Sequence, residues 1–181
     1  MKYAIGSKQR PLTIAIIGSG PSGFYAADAL LKQKNSSVEV DMFEMLPTPY
    51  GLVRAGVAPD HQKIKTVSKI YDDIAQLPQF RFWGNVEFGK DLKKSDILDW
   101  FDAVIYATGL QSDRKMGIPG EPLAGSTSAT EFVGWYNGHP DFQHLGFDFS
   151  TENVAIIGMG NVAMDISRIL AMTRDELSAT D

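Results

Sequence analysis

Two short apolar runs in this chain each end at a glycine, and a helical pattern follows each of them. The first run, Leu12 to Ile17, leads into Gly18, and the second, Val154 to Ile157, leads into Gly158. A short run that is apolar on both faces indicates a strand buried in a parallel sheet. This repeat predicts an α/β fold with a parallel sheet, built from nucleotide-binding units.

The first loop has the spacing of a phosphate-binding turn, G-x-G-x-x-G, formed by Gly18, Ser19, Gly20, Pro21, Ser22 and Gly23. The first glycine allows a tight turn, the second lets a pyrophosphate approach the backbone, and the third lets helix pack on strand. The helix N-terminus adds unpaired N–H groups. Glu44 ends the next predicted strand, 21 residues after Gly23, where a carboxylate that binds a ribose hydroxyl is expected. The pattern predicts a dinucleotide site.

The second loop has the related G-x-G-x-x-A spacing. It consists of Gly158, Met159, Gly160, Asn161 and Val162, followed by Ala163. Its ribose-binding residue would fall after Ala163, where 18 residues follow, so a preference for NADP or NAD is not predicted. Arg168 and Arg174 are expected to be solvated helix residues rather than phosphate ligands. Two dinucleotide loops in one chain suggest a flavin site and a nicotinamide site, with electrons passing between them.

Composition excludes several classes of function. The chain has 17 Lys+Arg against 22 Asp+Glu, a net charge of −5, which argues against nucleic-acid binding. It has no cysteine, which excludes disulfides, thiolate metal sites and iron–sulfur ligation within the chain. The electrons would therefore pass to an external one-electron carrier, a quinone or oxygen rather than to an active-site disulfide. We expect no metal site and no covalent nucleophile.

Targeting signals are not evident. No apolar run approaches the roughly 20 residues that a membrane span needs. The segment from Met1 to Pro11 is polar and basic, unlike a secretory signal or a transit peptide. These features predict a cytoplasmic location without a membrane span.

The remaining patterns predict further elements. Asp60 is expected to cap a helix that includes Ile64 and Val67 and ends at Pro78, and Ser128 with Glu131 has capping-box spacing. Further strands are expected at Phe80–Phe82, Val86–Phe88 and Ala103–Ala107, a helix at Ser95–Phe101, and a connector at 110–127.

The stretch Pro47 to His61, which reads PTPYGLVRAGVAPDH, resembles the adrenodoxin-reductase-type ferredoxin–NADP+ reductases. The resemblance continues at Phe82–Glu87, Ile118–Glu121, Phe132–Gly138 and Gly158–Asp165. It implies an FAD enzyme that moves electrons between NADPH and a ferredoxin-type iron–sulfur carrier. It also implies a Rossmann-like flavoprotein architecture with two dinucleotide-binding domains.

The resemblance also implies roles for single residues. The FAD contacts would fall on the Gly18–Gly23 loop, Glu44, Leu52 and Phe88, and the NADP pyrophosphate on Met159–Val162. Leu52 and Phe88 could equally be core residues. His61 matches the family's histidine near the flavin and is a candidate for proton transfer; the alternative is a capping or surface histidine. Asp165 could be an ordinary helix acid, and the strip of Lys63, Lys65 and Lys69 either meets an acidic ferredoxin or is a solvated face.

Members of the resembled family are more than twice as long, with the NADP domain inserted into the FAD domain. Residues 1–112 are therefore predicted to be the first part of an FAD-binding domain, and 113–181 a connector and the start of an NADP-binding domain. Such a truncated chain is expected to be poorly stable or to self-associate. Two alternatives stay open: a non-catalytic dinucleotide-binding fragment that acts with a partner chain, or another flavin oxidoreductase with two Rossmann units.

Overall fold

The computed structural model describes residues 3–61, 63, 66–110 and 112–180. The predicted positions Ile64 and Lys65 lie outside the described residues. The chain forms two compact units: the first comprises Met1–Arg54 and Thr66–Gly109, and the second comprises Ala55–Lys65 and Leu110–Asp181. Across the described ranges, no helix combines the length and apolarity required to cross a bilayer.

The first unit is built on a four-stranded parallel sheet, as predicted. Its strands lie in the order β3-β2-β1-β4, with bounds β1 Leu12–Ile17, β2 Val38–Phe43, β3 Phe80–Trp83 and β4 Ala103–Tyr106. Its helices are α1 Pro21–Lys32, α2 Leu52–Ala55, α3 Ser68–Ala75 and α4 Lys94–Trp100. The strands β1 and β2 adjoin at the centre, so the loop after β1 and the acid after β2 emerge at the same sheet edge.

Both faces of this sheet are buried. On one face, Phe24 of α1 stacks on Tyr71 of α3, with ring centroids 4.6 Å apart, and both pack on Ile16 and Met42. On the other face, Ile97 of α4 packs in a second buried cluster, which includes Ala15 and Ile17 of β1. Each fully buried side chain of this size contributes about 1.5–3 kcal/mol. This packing fixes α1, and with it the glycine loop, against the sheet.

An ion pair ties the start of β1 to the start of β4. Both guanidinium nitrogens Nη1 and Nη2 of Arg10 donate to the carboxylate of Asp102, at 2.7 Å each. The backbone N–H and hydroxyl of Thr13 donate to the same carboxylate. These hydrogen bonds, the one from Arg10 foremost, hold the pKa of Asp102 well below its ordinary value of 3.8.

Asp102→Asn is therefore expected to destabilise the protein at neutral pH, and the loss is expected to shrink in acid. A carboxylate whose pKa is depressed by folding contributes its full stability above its unfolded pKa and loses it as the pH falls through its folded pKa. The urea midpoints of wild type and variant should thus differ by a constant amount from about pH 8 to about pH 5, and the difference should begin to shrink below about pH 4 and keep shrinking as the pH falls toward the folded pKa of Asp102. The control is Asp99→Asn, which removes an exposed carboxylate of α4; a similar effect there would contradict the assignment to the Arg10 pair.

The second unit is helical in its described part. Its helices are α5 Ala129–Tyr136, α6 Asn161–Ala171 and α7 Arg174–Ser178, with a 3-10 turn at Pro140–Phe142. The predicted capping box of α5 is confirmed: Ser128 Oγ accepts from the backbone N–H of Glu131, whose carboxylate accepts from the N–H of Ser128. Phe132 of α5 packs with Phe147 and Ile166 in a small core.

Two predicted strands are wrong, and one predicted helix lies partly outside the described residues. Val154–Ile157 forms no strand, because a strand needs a hydrogen-bonded neighbour and the described part of this unit contains no other strand. Val86–Phe88 forms none either, because the chain turns at Asn85 (φ 58°) and at Gly89 (φ 97°). The helix predicted after Asp60 lies partly outside the described residues: Lys63 is helical, residues 62, 64 and 65 are not described, and α3 begins at Ser68. Asp60 accepts a hydrogen bond from Arg168 of α6.

Candidate dinucleotide-binding loops

The loop after β1 has the geometry that each of its glycines needs for the predicted role. Gly18 has a φ of +102°, and an added Cβ would lie 2.4 Å from the carbonyl oxygen of Ala107. A Cβ on Gly23 would lie 2.3 Å from the carbonyl oxygen of Gly18. By contrast, Gly20 caps the N-terminus of α1, and a Cβ there would meet no heavy atom within 4 Å. The backbone therefore leaves no room for a side chain at Gly18 or Gly23, whereas Gly20 has open space in front of the N-terminus of α1.

Glu44 follows β2 directly and is fixed to this loop. Its Oε2 accepts from the backbone N–H of Ser19 at 3.0 Å and from Ser19 Oγ at 2.6 Å, and its Oε1 accepts from the N–H of Leu46 at 3.1 Å. Ser19 is fully buried. An ionised carboxylate offers about four acceptor positions, so one on Oε1 remains for a ligand hydroxyl. The acid lies next to the loop, as the spacing predicted.

A second loop, residues 49–51, packs on the glycine loop, which the sequence did not indicate. The N–H of Tyr50 donates to the carbonyl of Ser19 at 3.0 Å, and a Cβ on Gly51 would lie 2.9 Å from the Cα of Gly20. Tyr50 has a φ of 93°, a conformation that costs a non-glycine residue about 1–3 kcal/mol. The surrounding contacts hold it there, including the Arg54 guanidinium 5.3 Å from the Tyr50 ring centroid.

Leu52 and Phe88, the other two predicted flavin contacts, differ in their surroundings. Leu52 begins α2 and is 70% exposed, so the alternative of a core residue is wrong for it. Phe88 is half-buried, packs against the Ile97 cluster and meets the Tyr106 ring edge-on at 5.4 Å, as a residue at the border of the core. Their contact with FAD stays a prediction.

The predicted second loop lies at the N-terminus of α6 in the second unit. Gly158 has a φ of +139°, and Gly160 caps the helix. A Cβ on Gly160 would meet no heavy atom within 4 Å, the same open space as at Gly20. Met159 is 91% exposed, and Val162 is exposed as well, while Asn161 is the first residue of α6. The two loops therefore share one feature: the second glycine of each lies at a helix N-terminus, with open space where its side chain would be.

The second unit also gathers charged residues around His61. Nδ1 of His61 lies 3.6 Å from Oδ1 of Asp165, an ion pair when the imidazole is protonated. Nη1 of Arg168 donates to the same Oδ1 at 2.9 Å, and Nε and Nη2 of Arg168 donate to the two carboxylate oxygens of Asp60. The side chain of Arg168 is 36% exposed, and its guanidinium bridges two carboxylates. This hydrogen bonding lowers the pKa of Asp60 and raises that of Arg168.

Tyr136 of α5 completes this cluster. Burial, and then the nearby charge of Asp165, raise the pKa of its phenol to about 12, so the phenol is neutral at physiological pH. Its hydroxyl is buried and, among the described residues, has no hydrogen-bond partner. Sequence reasoning missed Tyr136 and Asp60 as members of the cluster, although the Asp165–Arg168 spacing of three on one helix indicated that pair.

A doubly covered parallel sheet with a glycine-rich turn into α1 is the fold of dinucleotide-binding α/β proteins. Residues 12–178 match the pyridine nucleotide-disulphide oxidoreductases, and the chain belongs to this family. The family's description includes a disulphide, but this chain contains no cysteine and so cannot itself carry a redox disulfide.

Relatives and solved structures agree with this assignment. The chain is 55% identical over 172 residues to the NADPH-ferredoxin reductase FprA of Mycobacterium leprae, covering 93% of this chain and 38% of the relative. It is 48% identical over 181 residues to the mitochondrial NADPH:adrenodoxin oxidoreductase of Arabidopsis thaliana, covering 99% and 37%. The structure of Mycobacterium tuberculosis FprA in complex with NADPH superposes with a TM-score of 0.92 at 52% identity, covering 95% and 39%. The chain thus spans about two fifths of the length of these relatives.

Proposed function

We propose that this chain carries the flavin and nicotinamide phosphate loops of a reductase that passes electrons between NADPH and a ferredoxin-type carrier through FAD. The observation that carries the proposal is the pair of open glycine loops, each at a helix N-terminus. The names of the relatives, NADPH-ferredoxin reductase and NADPH:adrenodoxin oxidoreductase, supply the substrate and the partner. The activity is an oxidoreductase activity of the ferredoxin–NADP+ reductase type.

The residues of the first unit fit FAD. The open space at Gly20 admits a pyrophosphate to the N–H groups of α1, and the free acceptor position of Glu44 suits an adenosine ribose hydroxyl. Ser19 holds Glu44 at this point, and Pro21 and Ser22 form the first turn of α1. When bound, FAD supplies the chemistry that converts a two-electron donor into a source of single electrons.

The residues of the second unit fit the nicotinamide cofactor in the same way. Gly158 makes the turn, Gly160 leaves the helix N-terminus open, and the segment Met159–Val162 would hold the pyrophosphate of NADP(H). In this proposal residues 1–112 are the first part of an FAD-binding domain, and residues 113–181 are a connector and the start of an NADP-binding domain.

His61 would hold or transfer a proton during the reaction. Histidine side chains exchange protons near neutral pH, and Asp165 stands 3.6 Å from the His61 ring nitrogen Nδ1, where it would stabilise a protonated ring. Asp165 therefore has a partner that an ordinary surface acid lacks.

The partner of the proposed enzyme is a ferredoxin or similar small iron–sulfur carrier, and a cytoplasmic location belongs to the same proposal. The exposed Lys69 would favour an acidic carrier, which is one of the two alternatives given for the lysine strip. We also propose that the chain by itself self-associates. The edge strand β4 ends at Tyr106, half of whose surface is exposed, and Trp100 at the end of α4 is 65% exposed. Sedimentation velocity would detect such association.

The proposal predicts that the purified chain retains FAD and that NADPH bleaches it. The chain is mixed with FAD, desalted, and its visible absorption recorded before and after NADPH is added under anaerobic conditions, with free FAD on the same column as the control. Bleaching that a [2Fe–2S] ferredoxin reverses is the expected result. Retained FAD that NADPH does not bleach would support the alternative of a non-catalytic dinucleotide-binding fragment, and a colourless chain would contradict the flavin site.

A further inference from the structure

We infer that Arg168 and Asp60 are positioning residues that set the charge around His61, and with it the pH at which His61 takes up its proton. The functional meaning of this inference rests on the proposed function, in which His61 handles a proton. The arrangement itself is a property of the second unit, and it can be measured without any cofactor.

The guanidinium of Arg168 is shared between two carboxylates that lie far apart in the sequence. Nη2 donates to Asp60 Oδ1 at 2.8 Å with Nε on the other oxygen, and Nη1 donates to Asp165 Oδ1 at 2.9 Å. The same Asp165 oxygen faces Nδ1 of His61 at 3.6 Å. A planar guanidinium, whose N–H groups point in fixed directions, is needed to hold both carboxylates at once. Arg168 therefore determines the position of the Asp165 carboxylate beside His61.

Charged and titratable groups reach the cluster from three elements. Asp60 lies next to His61 in the chain, Asp165 and Arg168 come from α6, and Tyr136 comes from α5. With Tyr136 neutral, the described members of the cluster, two carboxylates and one guanidinium, carry a net charge of −1 beside the imidazole. A protonated His61 would balance this charge. Without Arg168 the net charge would be −2, which favours the protonated ring more strongly.

Asp60 also interacts electrostatically with both Arg168 and His61. The Arg168 hydrogen bond is the largest cause of the lowered pKa of Asp60, and the charge of His61 is a further cause. The carboxylate of Asp60, next to His61 in the chain, attracts a positive charge on the ring, and the guanidinium of Arg168 repels it. Asp60 and Arg168 therefore act on His61 with opposite signs.

The test is an NMR titration of the histidine ring signals of the 181-residue chain. The chain has three histidines, and His61→Gln identifies the signal of His61. Arg168→Gln is expected to move the titration midpoint of His61 upward by about 0.5–1 pH unit, and Asp60→Asn to move it downward by about 0.5 unit. Arg168→Lys keeps the charge but lacks the fork that holds both acids, so it is expected to give a smaller upward shift than Arg168→Gln.

An Arg168→Gln midpoint that stays unchanged or falls would overturn the inference. If that variant does not fold, as judged by circular dichroism, the downward shift in Asp60→Asn decides, and an unchanged midpoint there has the same meaning. A purely structural role would lower the stability of the variants without giving opposite shifts. Failure of FAD retention would leave these shifts unchanged and would count against the proposed function alone.

Discussion

Gly18→Ala is expected to lower the free energy of unfolding by about 3 kcal/mol or more, because two costs add at one position. The φ of +102° is unfavourable for any residue with a Cβ, and that Cβ would lie 2.4 Å from the carbonyl oxygen of Ala107. The obstacle is backbone at the end of β4, so no side-chain rotation relieves it. Urea denaturation followed by fluorescence of Trp83 and Trp100, both in the first unit, measures the loss.

Gly89→Ala is the matched control for this prediction. Gly89 has a similar φ of +97°, but a Cβ there would meet no heavy atom within 4 Å. Only the conformational cost applies, about 1 kcal/mol. Equal losses in the two variants would contradict the role assigned to the close approach between the glycine turn and the end of β4.

Gly20→Ala is expected to weaken FAD binding by at least about 100-fold while changing stability by no more than about 1 kcal/mol. In the protein alone the added methyl group meets nothing and the φ of −74° is ordinary. The methyl group fills the space through which the pyrophosphate would approach the N-terminus of α1. Titration of FAD fluorescence measures the affinity, and urea denaturation measures the stability.

Gly160→Ala is the control, because its Cβ would meet equally open space at the N-terminus of α6. It is expected to leave FAD affinity unchanged and to weaken NADPH binding instead. If Gly20→Ala kept wild-type affinity for FAD, or if both variants lost it alike, the assignment of the first loop to the flavin would be wrong.

The first unit was largely predictable because its signals are local. The apolar run of β1, the glycine spacing and the acid at the end of β2 each follow from the neighbouring residues, and Glu44 lies beside Ser19 accordingly. The hydrogen bonds that hold Glu44, and the packing of Tyr50 on Ser19, depend on loop conformations that composition does not specify. The positive φ of Tyr50 in particular contradicts the ordinary preference of its residue type.

The second unit was less predictable because its interactions are distant in sequence. Asp60 and Arg168 are 108 positions apart, so no periodicity connects them, and each looked like a solvated or capping residue. The run Val154–Ile157 has the composition of a buried strand, but the ladder partner that would make it one is not among the described residues. The local sequence pattern indicates that a segment can form a strand, whereas hydrogen bonding to a neighbouring strand decides whether it does.

The division of the chain also limits how far its two halves can be treated as modules. The peptide passes from one unit to the other at 54–55, at 65–66 and at 109–110, so neither unit is one continuous stretch of sequence. A truncation or gene fusion made at Gly109 would leave Asp60 and His61 attached to the first half. Arg168 in the second half would then still bind Asp165 but would no longer bind Asp60. Any transplantation of the nicotinamide loop to a new host must therefore carry the segment 55–65 with it.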